Sequence, residues 1–250
     1  METGQVMITF DDGILSHYDA AEMLGDRGLK GVFGLVGKRF EQPGYLTSSL
    51  CAGLSEDYGH FFCNHSGNHW WSGAGQPKPG QTAHAPHELI ADCVDDWMGH
   101  SNDDWFHPDY LMVPYGSPNI LNSQLLEALV EKTKWIRLTT GTPLPESLGE
   151  GRWTIKGHRR YYPKDYSGHV IGITEAGDVR WPDGVKEAAT NAANLGVLAV
   201  LIYYGMTDVV GSGMDITLER FKSDMDFIAD LVKQGKLECV TPDQLIKDSQ

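Results

Sequence analysis

A chain of 250 residues, 41% hydrophobic and 22% charged, can bury a large core and carries neither the bias of a disordered chain nor that of a fibrous one. Twenty basic against thirty-four acidic residues leave a net charge of -14, which disfavours binding to the phosphate backbone of nucleic acid or to anionic lipid and suits a neutral or cationic substrate. The longest apolar run, Val197 to Tyr204, falls far short of the roughly 20 residues that span a bilayer. The N-terminus lacks the basic start and apolar stretch of a secretory signal. A soluble protein away from membranes is therefore expected, cytoplasmic by default, with release or assembly into a larger particle left open. Four cysteines without CxxC spacing suit a reducing compartment. No sequence feature bears on oligomeric state.

Along the chain, Val6 to Phe10 reads as a strand, and His17 to Leu29 as a helix with a stripe of Ala20, Ala21, Leu24 and Leu29. Gly31 to Val36 follows as a second strand. Gln42 to Asp57 reads as loop, Gln76 to Pro86 as a Pro- and Gly-rich connection, and Pro86 to Met98 as a helix. Tyr110 to Val113 is a short strand, Ile120 to Lys132 a helix, and Trp135 to Leu138 and His169 to Thr174 are strands. Val185 to Leu195 is a helix, Val197 to Tyr204 a fully apolar strand, and Thr217 to Lys233 a helix. Leu237 to Val240 closes the series as a strand, with Pro242 at the first position of a last helix. Apolar runs between amphipathic helices indicate parallel strands covered by helices, in an open sheet or a closed barrel. No linker divides the chain, so residues 1–250 read as a single domain.

Two short stretches hold residue types that do chemistry. In Thr9-Phe10-Asp11-Asp12-Gly13, two adjacent carboxylates stand at the end of an expected strand. A regular strand sends neighbouring side chains to opposite faces, so this pair shares one site only where the backbone turns, and Gly13 supplies the turn. Active sites of parallel folds collect at such strand ends, although an acidic pair before glycine also occurs as a plain solvated turn. In Cys63 to Trp71, "CNHSGNHWW", His65 and His69 are four apart. In a helical turn their rings would share a face, with about 5–6 Å between Cβ atoms, near enough to share a metal. Ser66 stands where zinc proteases of the HExxH type carry their glutamate, which excludes that mechanism. Asp plus two His supplies three N/O ligands and leaves coordination positions for water and substrate. A second carboxylate beside the ligand can then serve as general base toward water.

In order and content these motifs resemble the NodB-homology polysaccharide deacetylases, carbohydrate esterase family 4. "TFDDG", Thr9 to Gly13, is identical to that family's first motif, and Asn64 to His69 fits its second, H-[ST]-x-x-H preceded by asparagine. "VPYGSP", Val113 to Pro118, is similar to the third motif, R-x-P-Y-G. "KGVFGLVG" looks like the strand after the family's first helix, and Arg220 to Leu245 is similar to its closing helix, strand and T-P-x-x-L ending. The resemblance covers nearly the whole chain. It implies an α/β fold, a distorted (β/α) barrel of about seven parallel strands, and hydrolysis of an N-acetyl or O-acetyl group on a carbohydrate. The implied roles are Asp11 as general base and Asp12, His65 and His69 as ligands of a divalent metal, zinc first, with Co2+, Mn2+, Ni2+ or Fe2+ as alternatives. The Tyr115 backbone N–H would complete an oxyanion hole. Trp70, adjacent to the second histidine, is the expected sugar-stacking residue, with Tyr115 and Gly116 as further substrate contacts.

Two positions depart from the family. The arginine that opens the third motif is Met112 here, which removes a charge partner of the base and should move the base's pKa up. The fifth motif, L-x-H, supplies a histidine as general acid, and here the matching residue is Tyr204, with Tyr203 next. His158 and His169, between the third and fifth motifs, are the candidate replacements. These losses motivate one alternative, a metal-containing glycan-binding protein with little or no turnover; a second is a hydrolase of C–N bonds on non-sugar substrates, since the same barrel and metal site can serve other C–N bonds.

Overall fold

Val6-Met7-Ile8-Thr9-Phe10 is buried at every position, and the strand it forms has a parallel neighbour on both edges, the pattern of a central strand covered on both faces. The computed structural model describes residues 3–70, 80, 82–95, 103–114, 129, 131–137, 173–175, 184–196, 198–207 and 216–247. In chain order the elements are β1 (Gly4–Phe10), α1 (His17–Gly25), β2 (Gly31–Leu35), α2 (Ser48–Tyr58), β3 (Phe61–Asn64) and α3 (Pro86–Ile90), the last continuing as a π-helical turn over Ala91–Asp95. There follow β4 (Phe106–Met112), β5 (Trp135–Arg137), β6 (Ile173–Glu175), α4 (Gly184–Leu195), β7 (Leu198–Tyr203), β8 (Met206–Thr207), β9 (Ile216–Thr217), α5 (Leu218–Lys233), β10 (Leu237–Cys239) and α6 (Pro242–Lys247). By contacts the chain divides into two units, one of residues 1–33, 41–61 and 171–241, the other of 34–40, 62–170 and 242–250.

In the first unit, β1 pairs in parallel with β7 over six residues, Gln5 against Leu198 through Phe10 against Tyr203. On its other edge Ile8, Thr9 and Phe10 pair with Gly31, Val32 and Phe33, and its start pairs with β10. β6 lies parallel to β7. Phe10 stacks on Phe33 with ring centroids 4.5 Å apart and on Tyr203 at 5.4 Å, and Phe221 meets Phe10 and Tyr203 edge-on. α5 delivers Phe221, Met225, Ile228 and Ala229 to this core at helical spacing, and Thr217 caps it by accepting the Arg220 N–H at 3.1 Å. α4 packs through alanines because it comes very close: a Cβ on Gly4 would lie 2.2 Å from the Ala192 carbonyl oxygen.

In the second unit, β3 pairs in parallel with β4 and β4 with β5. The β3–β4 register jumps from Cys63 opposite His107 to Asn64 opposite Leu111. Pro108, which has no N–H to give the ladder, falls inside that bulge. Leu89, Cys93, Leu111, Val113, Leu129 and Ile136 form the apolar core here, with Trp70, Ile90 and Val94 packed against it.

The expected strands all recur where they are described, and all ten described strands have parallel partners. The stretch expected to be loop, Gln42 to Asp57, instead contains α2. Thr47 caps that helix by accepting the Leu50 N–H, and Gly59 closes it with φ 68°. Only Cys51 and Leu54 are buried on it, a stripe too short to stand out among serines and Gly53. β3 and the π-helical turn were not expected, and α1 ends at Gly25, short of Leu29. Of the helix expected over 120–132 only residues 129, 131 and 132 are described. Among the described residues no helix is long and apolar enough to cross a membrane.

Candidate functional site

The acidic pair ends β1. The Asp11 N–H donates to the Tyr203 carbonyl at 3.0 Å as the last rung against β7. The backbone then turns through two left-handed residues, Asp12 at φ 79° and Gly13 at φ 64°. Aspartate is among the few residues with side chains that tolerate this region, and such strain persists where neighbouring structure holds it. The holding is done by main chain: Leu46 N–H donates to the Gly13 carbonyl at 2.9 Å, Leu15 N–H to the Gly44 carbonyl at 2.8 Å, and Ile14 bridges Tyr45. Asp11 is buried and Asp12 half-buried. The turn expected at Gly13 is present, and it begins one residue earlier.

The histidine pair follows β3 on a loop. No helical turn forms, contrary to the spacing argument, because Ser66 and His69 both adopt positive φ, 67° and 59°. Side chains stabilise that path. Asn64, fully buried, donates through Nδ2 to the Cys93 carbonyl and accepts the Ser66 N–H at Oδ1, 2.7 Å. Ser66 Oγ accepts the His69 N–H at 2.9 Å. The Gly37 and Lys38 N–H groups donate to the Ser66 and Gly67 carbonyls, and the His65 N–H donates to the Leu35 carbonyl. The two imidazoles end 4.9 Å apart, centroid to centroid. His65 Nδ1 donates to the Met112 carbonyl at 2.6 Å, so in the neutral ring the lone pair sits on Nε2, the state in which imidazole ligates a metal.

Met112 fills the space over Gly34: a Cβ at Gly34 would lie 2.2 Å from Met112 Cε and 3.0 Å from His65 Cβ. Its partner in register on β5 is Arg137, buried at 3% exposure. Sequence reasoning assigned Arg137 nothing; the signal was a lone arginine closing an apolar strand.

Tyr203 and Tyr204 divide sharply. Tyr203 is core, 1% exposed between Phe10 and Phe221, and burial pushes its hydroxyl pKa well up. Tyr204 is half-buried, and its carbonyl accepts from Nε2 of His17. His17, expected only as a helix start, is fully buried against Phe10 and Phe33. Burial lowers its pKa to about 4, partly offset by the bond to Tyr204 and by the nearby Asp11 charge. Trp70 stacks one face on His84 at 3.8 Å and packs against the second unit's core. Trp105 belongs to an aromatic cluster with Phe40, Phe62 and Phe106. Tyr115, Gly116, Trp71, Trp97, Trp153, Trp181, His158 and His169 lie outside the described residues.

No protein-family model matches the chain, and no curated protein does. Solved structures do. A family 4 carbohydrate esterase from Streptomyces lividans in complex with acetate is 14% identical, with 97% of this chain and 96% of that one covered at a TM-score of 0.53. The peptidoglycan deacetylase PdaC from Bacillus subtilis is 16% identical over 99% of this chain and 91% of its own, TM-score 0.54. A family 4 acetyl xylan esterase from Clostridium thermocellum, in complex with a cobalt ion, is 16% identical over 97% and 90%, TM-score 0.52. At these identities the likeness shows the fold, the parallel-stranded (β/α) type expected from the sequence.

Proposed function

We propose that this chain is a metal-dependent hydrolase that removes acetyl groups from an acetylated carbohydrate. The observation that carries the reading is the histidine pair: two imidazoles 4.9 Å apart, one locked by the Met112 carbonyl with its ligating nitrogen on the other side of the ring. We assign Asp12 as the third ligand, as the likeness of Thr9 to Gly13 to the deacetylases' first motif implies. The donor set, one carboxylate oxygen and two ring nitrogens, fits a divalent cation of the zinc class, with positions left for water and substrate. The fold shared with esterases and deacetylases that act on acetylated glycans supports the same direction.

The bound cation would supply Lewis acidity toward the acetyl carbonyl and lower the pKa of water. Asp11 takes the proton from the attacking water, a role suited to a carboxylate next to a ligand in sequence. The backbone N–H of Tyr115 is assigned as donor to the oxygen on which charge develops, as the likeness of Val113 to Pro118 to the third motif implies. As the C–N or C–O bond to the sugar breaks, Tyr204 protonates the leaving group, since Tyr203 is sealed in the core. Trp70, Tyr115 and Gly116 are assigned as the residues that contact the sugar.

The test is acetate release from N-acetylated chitooligosaccharides and from acetylated xylan, with and without chelator. Chelator-sensitive release is expected. Release that ignores chelator overturns the metal mechanism. Glycan binding without any acetate release shifts the reading to a binding protein, and turnover of small cyclic ureides alone shifts it to a C–N hydrolase.

A further inference from the structure

The second unit contains a buried acid that the proposed chemistry does not use. Asp92 sits in the π-helical turn Ala91–Asp95 and is 2% exposed. Its Oδ1 accepts from both donors of a single residue, the main-chain N–H and the side-chain Nδ2 of Asn68, each at 2.6 Å. Its main-chain carbonyl accepts the Gly67 N–H at 2.7 Å. The next carbonyl, that of Cys93, accepts from Asn64 Nδ2. A π turn interrupts the regular helical ladder, and such turns concentrate at functional sites. Here two successive carbonyls of the turn and one carboxylate all face the loop that bears His65 and His69.

We infer that Asp92 is a positioning residue for the histidine pair. It clamps the Gly67 and Asn68 peptides, the two links between left-handed Ser66 and left-handed His69. With those links fixed, the loop holds both strained residues and presents the two rings 4.9 Å apart. A carboxylate is the suitable clamp because it accepts two N–H bonds on one oxygen at charge-assisted distances. Asparagine at the same position would keep the acceptor and lose the charge. The inference rests on the cation site proposed above, and partners that orient ligands in this way typically govern metal affinity by about 10–100-fold.

The experiment uses the full chain, metal-depleted, titrated with zinc against a chromophoric chelator, with the visible spectrum of the cobalt-loaded protein and the melting temperature of the metal-free protein recorded alongside. Asp92→Ala is expected to weaken zinc binding about 10–100-fold and to shift the cobalt bands. Asp92→Asn should recover most of the affinity. Asn68→Ala removes only the side-chain half of the grip, so it should fold as wild type and still bind zinc measurably more weakly. If folded Asp92→Ala, or Asn68→Ala should the first fail to fold, binds zinc as wild type does with unchanged cobalt bands, Asp92 is structural only and the inference falls. Wild-type protein that binds no zinc overturns the cation site itself, and the inference with it.

Discussion

The loops after β1 and β3 both end parallel strands, and each holds residues other than glycine in left-handed backbone. After β1, Asp12 is held by main-chain bonds from Leu46 and Leu15 and by the last rung to Tyr203. After β3, Ser66 and His69 are held by side chains, those of Asn64, Ser66 and Asp92. In the first loop the support described for the left-handed turn comes from main chain. In the second loop side chains set the path, some from the loop itself and one from Asp92, so changing one of them alters the support of the histidine pair.

Removing the functional side chains should break this contrast most severely. His65→Ala is expected to weaken zinc binding by more than the roughly 100-fold that loss of an outer partner costs. Asp11→Asn should leave zinc binding in place while acetate release falls about 10²–10⁴-fold, the usual worth of general base assistance. Isothermal titration and an acetate assay on both variants separate the two roles. Zinc loss in Asp11→Asn would contradict the division of labour between Asp11 and Asp12.

The first unit also contains two buried histidines, His17 and His60, each with a pKa lowered to about 4, chiefly by burial. Between that value and the unfolded value of about 6.5 the unfolded chain binds more protons than the folded one. Stability is therefore complete above about pH 6.5 and falls as pH drops toward 4, by on the order of 3 kcal/mol for each residue. The melting temperature of metal-free protein should decline from pH 7 to pH 5, and His60→Gln should flatten the decline. A flat profile in the wild type would contradict the burial of neutral rings.

Support rather than chemistry is tested by smaller changes. Asn64→Ala strips the β3 loop of bonds to Ser66 and Cys93 and leaves buried groups unsatisfied, a loss of about 2–3 kcal/mol. Gly13→Ala keeps every main-chain bond of the β1 loop and pays only for φ 64°, about 1–2 kcal/mol. Urea unfolding of the two variants measures the difference. Gly13→Ala costing more than Asn64→Ala would invert the comparison.

Much of this was legible in the sequence for physical reasons. Central strands such as Val6 to Phe10 and Val197 to Tyr204 read as continuous apolar runs because both faces are covered, and α5 announced itself by its stripe and its Thr217 cap. α2 did not, since two buried residues make no periodicity. In the acidic stretch, the glycine gave away the turn. The path of the histidine loop was not legible because i, i+4 spacing says nothing of φ, and the bonds that set φ at Ser66 and His69 come partly from Asp92, more than twenty residues away in the chain. Likewise His17 carried no hint that its ring would reach the Tyr204 carbonyl, a contact spanning 187 positions.

The central claim is that Asp12, His65 and His69 hold one cation and that acetyl hydrolysis depends on it. Stepwise addition of zinc to metal-depleted protein, with acetate release from an acetylated oligosaccharide followed at each step, tests it most directly. Activity rising in proportion to zinc and levelling at one equivalent per chain is the predicted result, with Asp12→Ala and His69→Ala flat throughout. Full activity before any zinc is added, or the same response in those variants, would contradict it.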